Sequence, residues 1–303
     1  MKPLSRAELR AALVDRRSED HKGVFGHLLI VGGSRGMMGA PILAARAALR
    51  SGVGLVTLAL PAGLQNQAAA AVPEALTLGL AETPSGVLRA EGVARLKTAL
   101  KERGYTALAI GPGLSQQAEA AKFVIGALCS LPVPAVIDAD ALNALAAQEP
   151  AGVRELLRRR RAPCVLTPHP GEMARCLKVT RDQVRQKRDG CAQRLAREWG
   201  AVTLLKGHRT VVASEARIVV NLTGGPGLSK GGTGDVLTGL IAGLWAQMLA
   251  SRRVDGDSAF MAAALGAHLH GLAGDLAERE KTAFAMTAGD VIAALPAAFA
   301  QLI

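Results

Sequence analysis

A glycine-rich stretch is the first part of this sequence whose residue types and spacing point to chemistry. Residues 221–240 read NLTGGPGLSKGGTGDVLTGL, with seven glycines in twenty residues, and they connect an apolar strand pattern to an apolar helical pattern. The free N–H groups of a first helical turn, beside glycines that have no Cβ atom, suit a bound phosphate group. The predicted phosphate site consists of Gly231, Gly232, Thr233 and Gly234.

Asp235 follows these glycines directly. The helix dipole favours an aspartate in a first turn by about 0.3–1 kcal/mol, which explains most such residues. A carboxylate next to a bound anion would repel that anion, however. We therefore interpret Asp235 as a catalytic group that acts beside the phosphate.

A serine in the same stretch invites a different reading. The segment GLSKG, residues 227–231, matches the GxSxG pattern of hydrolases, with Ser229 as the nucleophile. A nucleophile of that kind follows its strand directly, whereas residues 223–226 intervene here. We expect Ser229 not to be a nucleophile.

Several other strand-like segments end in polar residues. Asp138, Asp140, His169 and Glu172 could supply oxygen and nitrogen ligands to a divalent metal, but none has a dedicated metal-binding spacing. A Mg²⁺ ion held mainly by phosphates and water is therefore expected instead. His169 lies between two prolines and is expected to be exposed, where both ligand contact and a structural role remain open.

Two further loops carry weaker signals. The basic segment KGHRT, residues 206–210, offers cations and donors to a phosphate or a nucleotide, or is an ordinary basic turn. The loop GGSRGMMG, residues 32–39, follows an apolar strand but matches neither GxGxxG nor GxxxxGK[ST]. Ligand contact and a tight packing turn both remain open for this loop.

Short apolar strands alternate with helices along the chain. This pattern predicts a three-layer α/β/α fold around a mostly parallel sheet, with a terminal hairpin near residues 211–220. Because ligands bind at the carboxyl ends of parallel strands, we expect the loops above to share one rim. Thr180 is predicted to open one long helix and Thr287 to cap the last one. One domain over residues 1–303 is expected, with residues 1–21 as an N-terminal extension.

Composition restricts the function classes. The chain has 303 residues, is 50% hydrophobic and carries a net charge of +11. A basic chain suits phosphorylated small molecules, nucleic acid or an anionic membrane surface, but two Trp, one Tyr and five Phe leave little for unpaired bases to stack on. For the basic run at residues 158–161, a solvated basic surface is at least as well supported as a binding surface, and both remain open.

Neither a membrane span nor a disulfide framework is predicted. The longest uncharged runs, residues 236–251 and 258–274, fall short of the roughly 20 apolar residues that a span needs, so buried helices are expected. The charges spread through the N-terminal residues predict no secretory signal there. The four cysteines form no CxxC pair and indicate reduced, cytoplasmic thiols.

The motifs together carry a family resemblance. GHLLIVGGSRGMMGA, GPGL, DADALN, TPHPGE, LKGHRT and TGGPGLSKGGTGDVLTG occur in this order over residues 22–295. In this respect the chain resembles the ADP-dependent NAD(P)H-hydrate dehydratases, which have the ribokinase-like fold. The resemblance implies an enzyme that consumes ADP, with Mg²⁺, to remove water from the hydrated nicotinamide ring of damaged NADH or NADPH.

The resemblance also assigns residues. It implies hydrate-binding positions at Ala40, Gly113, His169 and Asp235, the last being catalytic. It implies a nucleotide site at Lys206, Gly207, His208, Arg209, Thr210 and Gly234. The chain departs from the family pattern at Gly225, where asparagine is usual, and at Lys230, where a small residue is usual and the lysine adds a cation beside the phosphate site.

The resemblance also implies which partners the protein has, and two alternative functions remain open beside it. It implies a cytoplasmic homo-oligomer, a tetramer, with no nucleic-acid or membrane partner. Many relatives carry an N-terminal epimerase domain, for which the residues before His21 leave no room, so activity on the S-epimer alone is expected. The alternatives are a kinase of a small alcohol or vitamin precursor on the same fold, and a basic nucleic-acid-binding module.

Overall fold

A nine-stranded sheet forms the centre of the molecule. The structure is a computed structural model that describes residues 1–251 and 257–303. The strands are β1 (His27–Val31), β2 (Leu55–Pro61), β3 (Leu76–Leu80), β4 (Ala107–Ile110), β5 (Ala135–Ile137), β6 (Cys164–Leu166), β7 (Val202–Leu205), β8 (Val211–Ala213) and β9 (Ile218–Val220). Their order in the sheet is β3-β2-β1-β4-β5-β6-β7-β8-β9.

The pairing of the strands confirms the predicted, mostly parallel sheet. Every neighbouring pair from β3 to β7 is parallel, whereas β8 pairs antiparallel with both β7 and β9. The predicted hairpin is therefore present at one edge. Strands β1 and β4 are neighbours, although β2 and β3 lie between them in sequence and to one side of β1 in the sheet. This reversal is the switch point at which open α/β sheets bind ligands.

Helices cover both faces of the sheet. They are α1 (Arg6–Ala11), α2 (Gly39–Ser51), α3 (Gln65–Ala71), α4 (Gly92–Arg103), α5 (Ala118–Ser130), α6 (Ala139–Ala146), α7 (Pro150–Arg159), α8 (Pro170–Leu177), α9 (Arg181–Gln186), α10 (Arg188–Trp199), α11 (Thr233–Ala250), α12 (Ser258–Ala285) and α13 (Ala288–Leu302). One apolar core lies under α1 to α3 and α11 to α13, and a second lies under α4 to α10. The three-layer α/β/α prediction is thus confirmed.

The apolar helices near the C-terminus fold as predicted. α11 and α12 bury most of their side chains, including Trp245 and Phe260, and both belong to the first core. Among the residues that the structure describes, no helix is long and apolar enough to cross a membrane. Thr287 forms the predicted cap, since its side chain and that of Asp290 complete a capping box.

One sequence expectation was wrong. Thr180 does open a helix with Gln183, but the helix breaks at Lys187 (φ −129°, ψ 53°), and α10 begins beyond the break. The Arg188 guanidinium there donates to the carbonyl oxygens of Leu205 and Lys206, a tertiary contact that no local pattern encodes.

The basic run at residues 158–161 is solvated except at one residue. Arg160 is only 3% exposed, and its guanidinium donates to the carbonyl oxygens of Leu128 and Val133 at the edge of the second core. The other three arginines are exposed, as expected.

Candidate active site

The carboxyl ends of the strands meet at one rim, as the sequence predicts. Beyond β1 and β4, the Gly33 N–H donates to Pro112 O at 2.9 Å, and the Ser34 hydroxyl donates to Gly113 O at 2.9 Å. Beyond β6 and β7, the Lys206 N–H donates to Pro168 O at 2.9 Å. These bonds join the loop after β1 to the loop after β4, and the loop after β6 to the loop after β7.

The glycine-rich stretch presents the start of α11 to this rim. Gly232 adopts φ 90°, a left-handed conformation that favours glycine, and α11 begins at the next residue. The amides of Gly231 to Asp235 donate to no other residue that the structure describes. These N–H groups are thus available for a bound anion.

Asp235 lies in the first turn of α11 and is half-buried. Burial raises the pKa of Asp235 to about 7, and the charge of Asp138 acts in the same direction. Lys206 opposes this shift, whereas Asp140 and Glu172 add to it. A carboxyl group with such a pKa can accept a proton near neutral pH.

A buried ion pair lies beside Asp235. The Lys206 ammonium donates to Asp138 Oδ1 at 2.8 Å, and the Thr238 hydroxyl donates to Asp138 Oδ2 at 2.6 Å. Burial raises the pKa of Asp138, but Lys206 and the hydroxyl donors outweigh burial and hold this pKa below its ordinary value. Burial lowers the pKa of Lys206, but Asp138 and Glu172 outweigh burial and raise it. Both groups are therefore charged, and the lysine is a fixed cation.

His169 caps α8 at the same rim. Its Nδ1 accepts hydrogen bonds from the amides of Gly171 (2.9 Å) and Glu172 (3.3 Å), while Glu172 Oε2 accepts from the His169 amide at 2.7 Å. Burial, together with the charges of Lys206 and Arg175, lowers the pKa of His169 to about 4. The ring is therefore neutral with its proton on Nε2, which lies 3.3 Å from Glu172 Oε1. The ring is exposed, as expected, and can act as a hydrogen-bond donor.

Most of the predicted nucleotide residues surround one cavity of 420 Å³ between the β7–β9 edge, α11 and α12. The predicted residues in its wall are Lys206, Gly207, His208, Thr210, Thr233 and Gly234. Arg209, Gly231 and Gly232 lie in the same two loops but not in the wall.

The wall of the cavity also includes two residues, His270 and Asn221, that the sequence did not mark as site residues. The buried His270 lies in its wall, and its Nε2 is 2.9 Å from Thr233 O, the first residue of α11. Burial lowers the pKa of His270 to about 4, so this ring is neutral and donates to that carbonyl. Asn221 also lines the cavity and donates to the carbonyl oxygens of Thr223 and Ala267. His270 lies in an apolar helix and gave no local signal.

Two of the predicted hydrate-binding residues, Ala40 and Gly113, are adjacent, since an ideal Cβ atom at Gly113 would be 3.3 Å from Ala40 Cβ. The amide of Ser115, two residues further on, donates to Asp140 Oδ2 at 2.9 Å. The charge of Asp140 in turn raises the pKa of Asp235. The loop after β4 therefore holds one of the carboxylates that act on Asp235.

The residues weighed as metal ligands do not fit a metal site. Both oxygens of Asp138 are bonded to Lys206 and Thr238, and both oxygens of Glu172 face His169. Within residues 1–251 and 257–303, no three His, Cys, Asp or Glu side chains are arranged to hold a metal ion.

Ser229 does not have the surroundings of a nucleophile. It is exposed, with φ −79°, and follows a single turn of 3₁₀ helix at Pro226–Leu228 rather than a strand. No base is hydrogen-bonded to its hydroxyl among the described residues.

Comparison with known proteins agrees with this geometry. Residues 28–297 match the model of the carbohydrate-kinase-like family described as NAD(P)H-hydrate dehydratase. The chain belongs to this family. A crystal structure of the ADP/ATP-dependent NAD(P)H-hydrate dehydratase from Bacillus subtilis, co-crystallized with ATP/Mg²⁺, is 31% identical, with a TM-score of 0.82, and the match covers 100% of this chain and 99% of that one.

Two relatives and one further structure extend the comparison. The bifunctional NAD(P)H-hydrate repair enzyme Nnr of Moorella thermoacetica is 47% identical over 97% of this chain, and the ADP-dependent (S)-NAD(P)H-hydrate dehydratase of Neisseria meningitidis is 38% identical over 91% of this chain and 86% of its own length. The chain spans 53% of the Moorella relative, about half its length. A ribokinase-like superfamily protein from Enterococcus faecalis matches with 26% identity and a TM-score of 0.77, covering 99% of this chain and 96% of that one. The fold of this chain is therefore ribokinase-like, as the sequence predicts.

The two departures from the family pattern have visible surroundings. A Cβ atom at Gly225 would lie 2.5 Å from Glu278 Oε2, and this carboxylate accepts from the Gly227 amide at 3.0 Å. Glycine at this position therefore makes room for an acid on α12. The Lys230 ammonium donates to Phe284 O near the end of α12, which directs this cation away from the predicted phosphate site.

Proposed function

We propose that this chain removes water from the S-epimer of hydrated NADH or NADPH and consumes ADP in doing so. One observation carries the proposal. Asp235, with a pKa raised to about 7, lies in the first turn of α11, directly after Thr233 and Gly234, which line a cavity that would hold a nucleotide. The ADP dependence and the epimer come from the name of the Neisseria relative.

The nucleotide side would hold ADP with its terminal phosphate at α11. The amides of Gly231 to Gly234 and the Lys206 ammonium would bind the phosphate oxygens, because both are positive and fixed before the ligand arrives. Thr210 and His208 lie along the cavity wall and would contact the remainder of the nucleotide. A magnesium ion would arrive on the ADP phosphates as part of the substrate, since no three His, Cys, Asp or Glu side chains in the described part of the chain are arranged to hold one.

The hydrate side would place the hydroxyl of the nicotinamide ring at Asp235. Ala40 and Gly113, which are adjacent, would contact the ring, and His169 would donate a hydrogen bond from Nε2. In the first step, Asp235 takes the hydroxyl proton and the hydroxyl oxygen bonds to the terminal phosphorus of ADP. The bond from that phosphorus to the bridging oxygen breaks, and AMP leaves with the electron pair.

The second step restores the ring. The bond from ring carbon to phosphate oxygen breaks with its electrons going to phosphate, and the neighbouring ring carbon loses a proton to the departing phosphate as the double bond forms. The balance is one hydrate and one ADP converted into one reduced nicotinamide nucleotide, one AMP, one hydrogen phosphate and one proton. Asp235 gives up its proton to solvent before the next turnover.

A single incubation tests this proposal. The purified chain is mixed with hydrated NADH, Mg²⁺ and either ADP or ATP, and NADH absorbance, AMP and phosphate are measured together. The proposal predicts equal amounts of the three products with ADP. A stable phosphorylated hydrate without NADH would indicate a kinase instead, and no reaction with either nucleotide would contradict the proposed activity.

The proposal extends to the whole chain and its compartment. The catalytic unit would be one domain formed by residues 1–303, because α1 and α13 pack into the same core as α11. All four cysteines are free thiols, which supports a reducing, cytoplasmic location.

A further inference from the structure

The carboxylate of Asp138 is buried, yet it bonds to two groups at the rim where the proposed reaction takes place. It follows β5 directly and is 1% exposed, yet each of its oxygens is bonded to a group at the rim. One bond goes to the Lys206 ammonium after β7, and the other to the Thr238 hydroxyl on α11. Asp138 therefore connects two loops that, under the proposed function, must meet at one phosphate.

The position of Lys206 depends on this carboxylate. A free lysine side chain populates many rotamers, but here Nζ is held 2.8 Å from Asp138 and 3.8 Å from Glu172 Oε2. An ideal Cβ atom at Gly234 would lie 3.5 Å from the same Nζ. The ammonium thus lies over the first turn of α11, beside the residue that precedes Asp235.

Thr238 lies on the same face of α11 as Asp235, because residues three apart on a helix are neighbours. Its bond to Asp138 attaches this face of the helix to the end of β5. The catalytic carboxylate and the lysine are therefore positioned by the two oxygens of one buried aspartate.

We propose that Asp138 is a positioning residue for the dehydration, acting through Lys206 and Thr238 to hold the ammonium and the Asp235 carboxylate at the same transferred phosphoryl group. The inference rests on the proposed function and deepens it. A group that only positions others affects the transition state more than substrate binding. Its loss should therefore lower kcat more than it raises KM.

The charges around Asp235 give an independent readout. The charged groups that act on it from the packed elements are Asp138 after β5, Asp140 on α6, Glu172 on α8 and Lys206 after β7. The two histidines of the rim and the cavity, His169 before α8 and His270 on α12, are neutral, because burial lowers the pKa of each to about 4. Replacing Asp138 by Asn removes a negative charge that raises the pKa of Asp235. Because the Asp138 charge shifts this pKa more than the Lys206 charge does, the pKa falls and the basic form of Asp235 persists to lower pH. Loss of folding alone would not move the pH profile in this direction.

The experiment compares wild type, Asp138→Asn, Thr238→Val and Thr238→Ser in steady-state NADH recovery with MgADP. We expect Asp138→Asn to lower kcat by about 100-fold, the size of a roughly 1 Å misplacement, with KM for the hydrate changed less than about threefold. The midpoint of its kcat/KM profile should move below that of wild type. Thr238→Val should lose about three- to tenfold in kcat, and Thr238→Ser should restore it because the hydroxyl returns.

Thr203→Val is the matched control. Thr203 is a fully buried threonine on β7, and its hydroxyl has no hydrogen-bond partner among the described residues. This variant should keep wild-type kcat. Equal rates for Thr238→Val and Thr203→Val would overturn the inference, as would a folded Asp138→Asn variant with wild-type kcat and pH midpoint.

If Asp138→Asn fails to fold, the comparison of Thr238→Val with Thr203→Val still tests the inference, because Thr238→Val leaves the ion pair between Asp138 and Lys206 in place. Failure of the proposed function is a different result. In that case the wild-type chain recovers no NADH with ADP or ATP, which removes both the proposed function and this inference. If the wild-type chain recovers NADH and the Asp138 and Thr238 variants do so at the same rate, only the inference about Asp138 is contradicted.

Discussion

The two glycine-rich loops at the rim use their glycines in opposite ways. In the first, a Cβ atom at Gly32 would lie 2.4 Å from Pro112 O, and the neighbouring amide of Gly33 already donates to that carbonyl. In the second, Gly231 has open space around its Cβ position, and the amides up to Asp235 donate to no described residue. The first loop is a packing turn between two strand ends, whereas the second keeps its donors for a ligand.

The two loops are both rich in glycine, yet only one of them is a predicted ligand site. Glycine is needed wherever backbone approaches something closely, and the partner is backbone in one loop and a ligand in the other. The variants below separate the two cases, because packing defects lower stability and ligand-site defects lower turnover.

The largest effect is expected from Asp235→Asn. The amide retains the shape and the fold but cannot accept the hydroxyl proton, so kcat should fall by about 10²–10⁴. Rates of NADH recovery and thermal unfolding of the same preparation measure this. Asp182→Asn, which changes an exposed first-turn aspartate of α9, is the matched control and should be active. An active Asp235→Asn variant would remove this residue from the mechanism.

Gly32→Ala should damage stability rather than binding. The added methyl group meets the backbone oxygen of Pro112, which no side-chain rotation can relieve, so the free energy of unfolding should fall by about 1–3 kcal/mol. Denaturant titration measures the loss. Gly190→Ala, at an open position in α10, should instead raise it by about 0.5–1 kcal/mol. A Gly32→Ala variant of unchanged stability would show that this loop is not a packing turn.

Gly234→Ala should show the converse behaviour. Its methyl group would contact Lys206 Nζ at 3.5 Å, an ordinary distance, and Gly234 lies in a helix, so the free energy of unfolding should not fall. The same methyl group lies over the phosphate site, and KM for ADP should rise by about tenfold, equivalent to about 1.4 kcal/mol. Steady-state kinetics with varied ADP measure it, and Gly190→Ala again serves as the control. An unchanged KM would place the phosphate elsewhere.

Lys230→Ala should have the smallest effect. Because the Lys230 ammonium donates to Phe284 O, it does not complement the phosphate charge. We expect KM for ADP to stay within about twofold of wild type at low and high salt, since an exposed charge contributes little. A larger, salt-dependent rise would show that this lysine turns toward the nucleotide.

Local sequence patterns predicted the frame of the site but not its internal contacts. Apolar runs that end in glycine or in polar residues marked the strand ends, and an aspartate after a glycine loop marked Asp235. The pairing of Lys206 with Asp138 joins residues 68 apart, and that of Gly227 with Glu278 joins residues 51 apart. Such contacts depend on strand order and helix packing, which no local pattern encodes.

The buried polar residues show the same limit. His270 and Arg160 lie in segments whose composition predicted, respectively, an apolar helix and an exposed basic run. Each is buried because one or two backbone carbonyl oxygens lie within its reach. Only the tertiary fold determines where those oxygens are.

The pH dependence of kcat/KM for NADH recovery tests the central claim most directly. Burial and neighbouring carboxylates place the pKa of Asp235 at about 7, and the residue acts as a base only when it is deprotonated. We predict that kcat/KM rises through a single midpoint near 7 and falls about tenfold for each pH unit below it. A profile that is flat down to about pH 5 would contradict the account, since an unshifted aspartate ionises near pH 3.9.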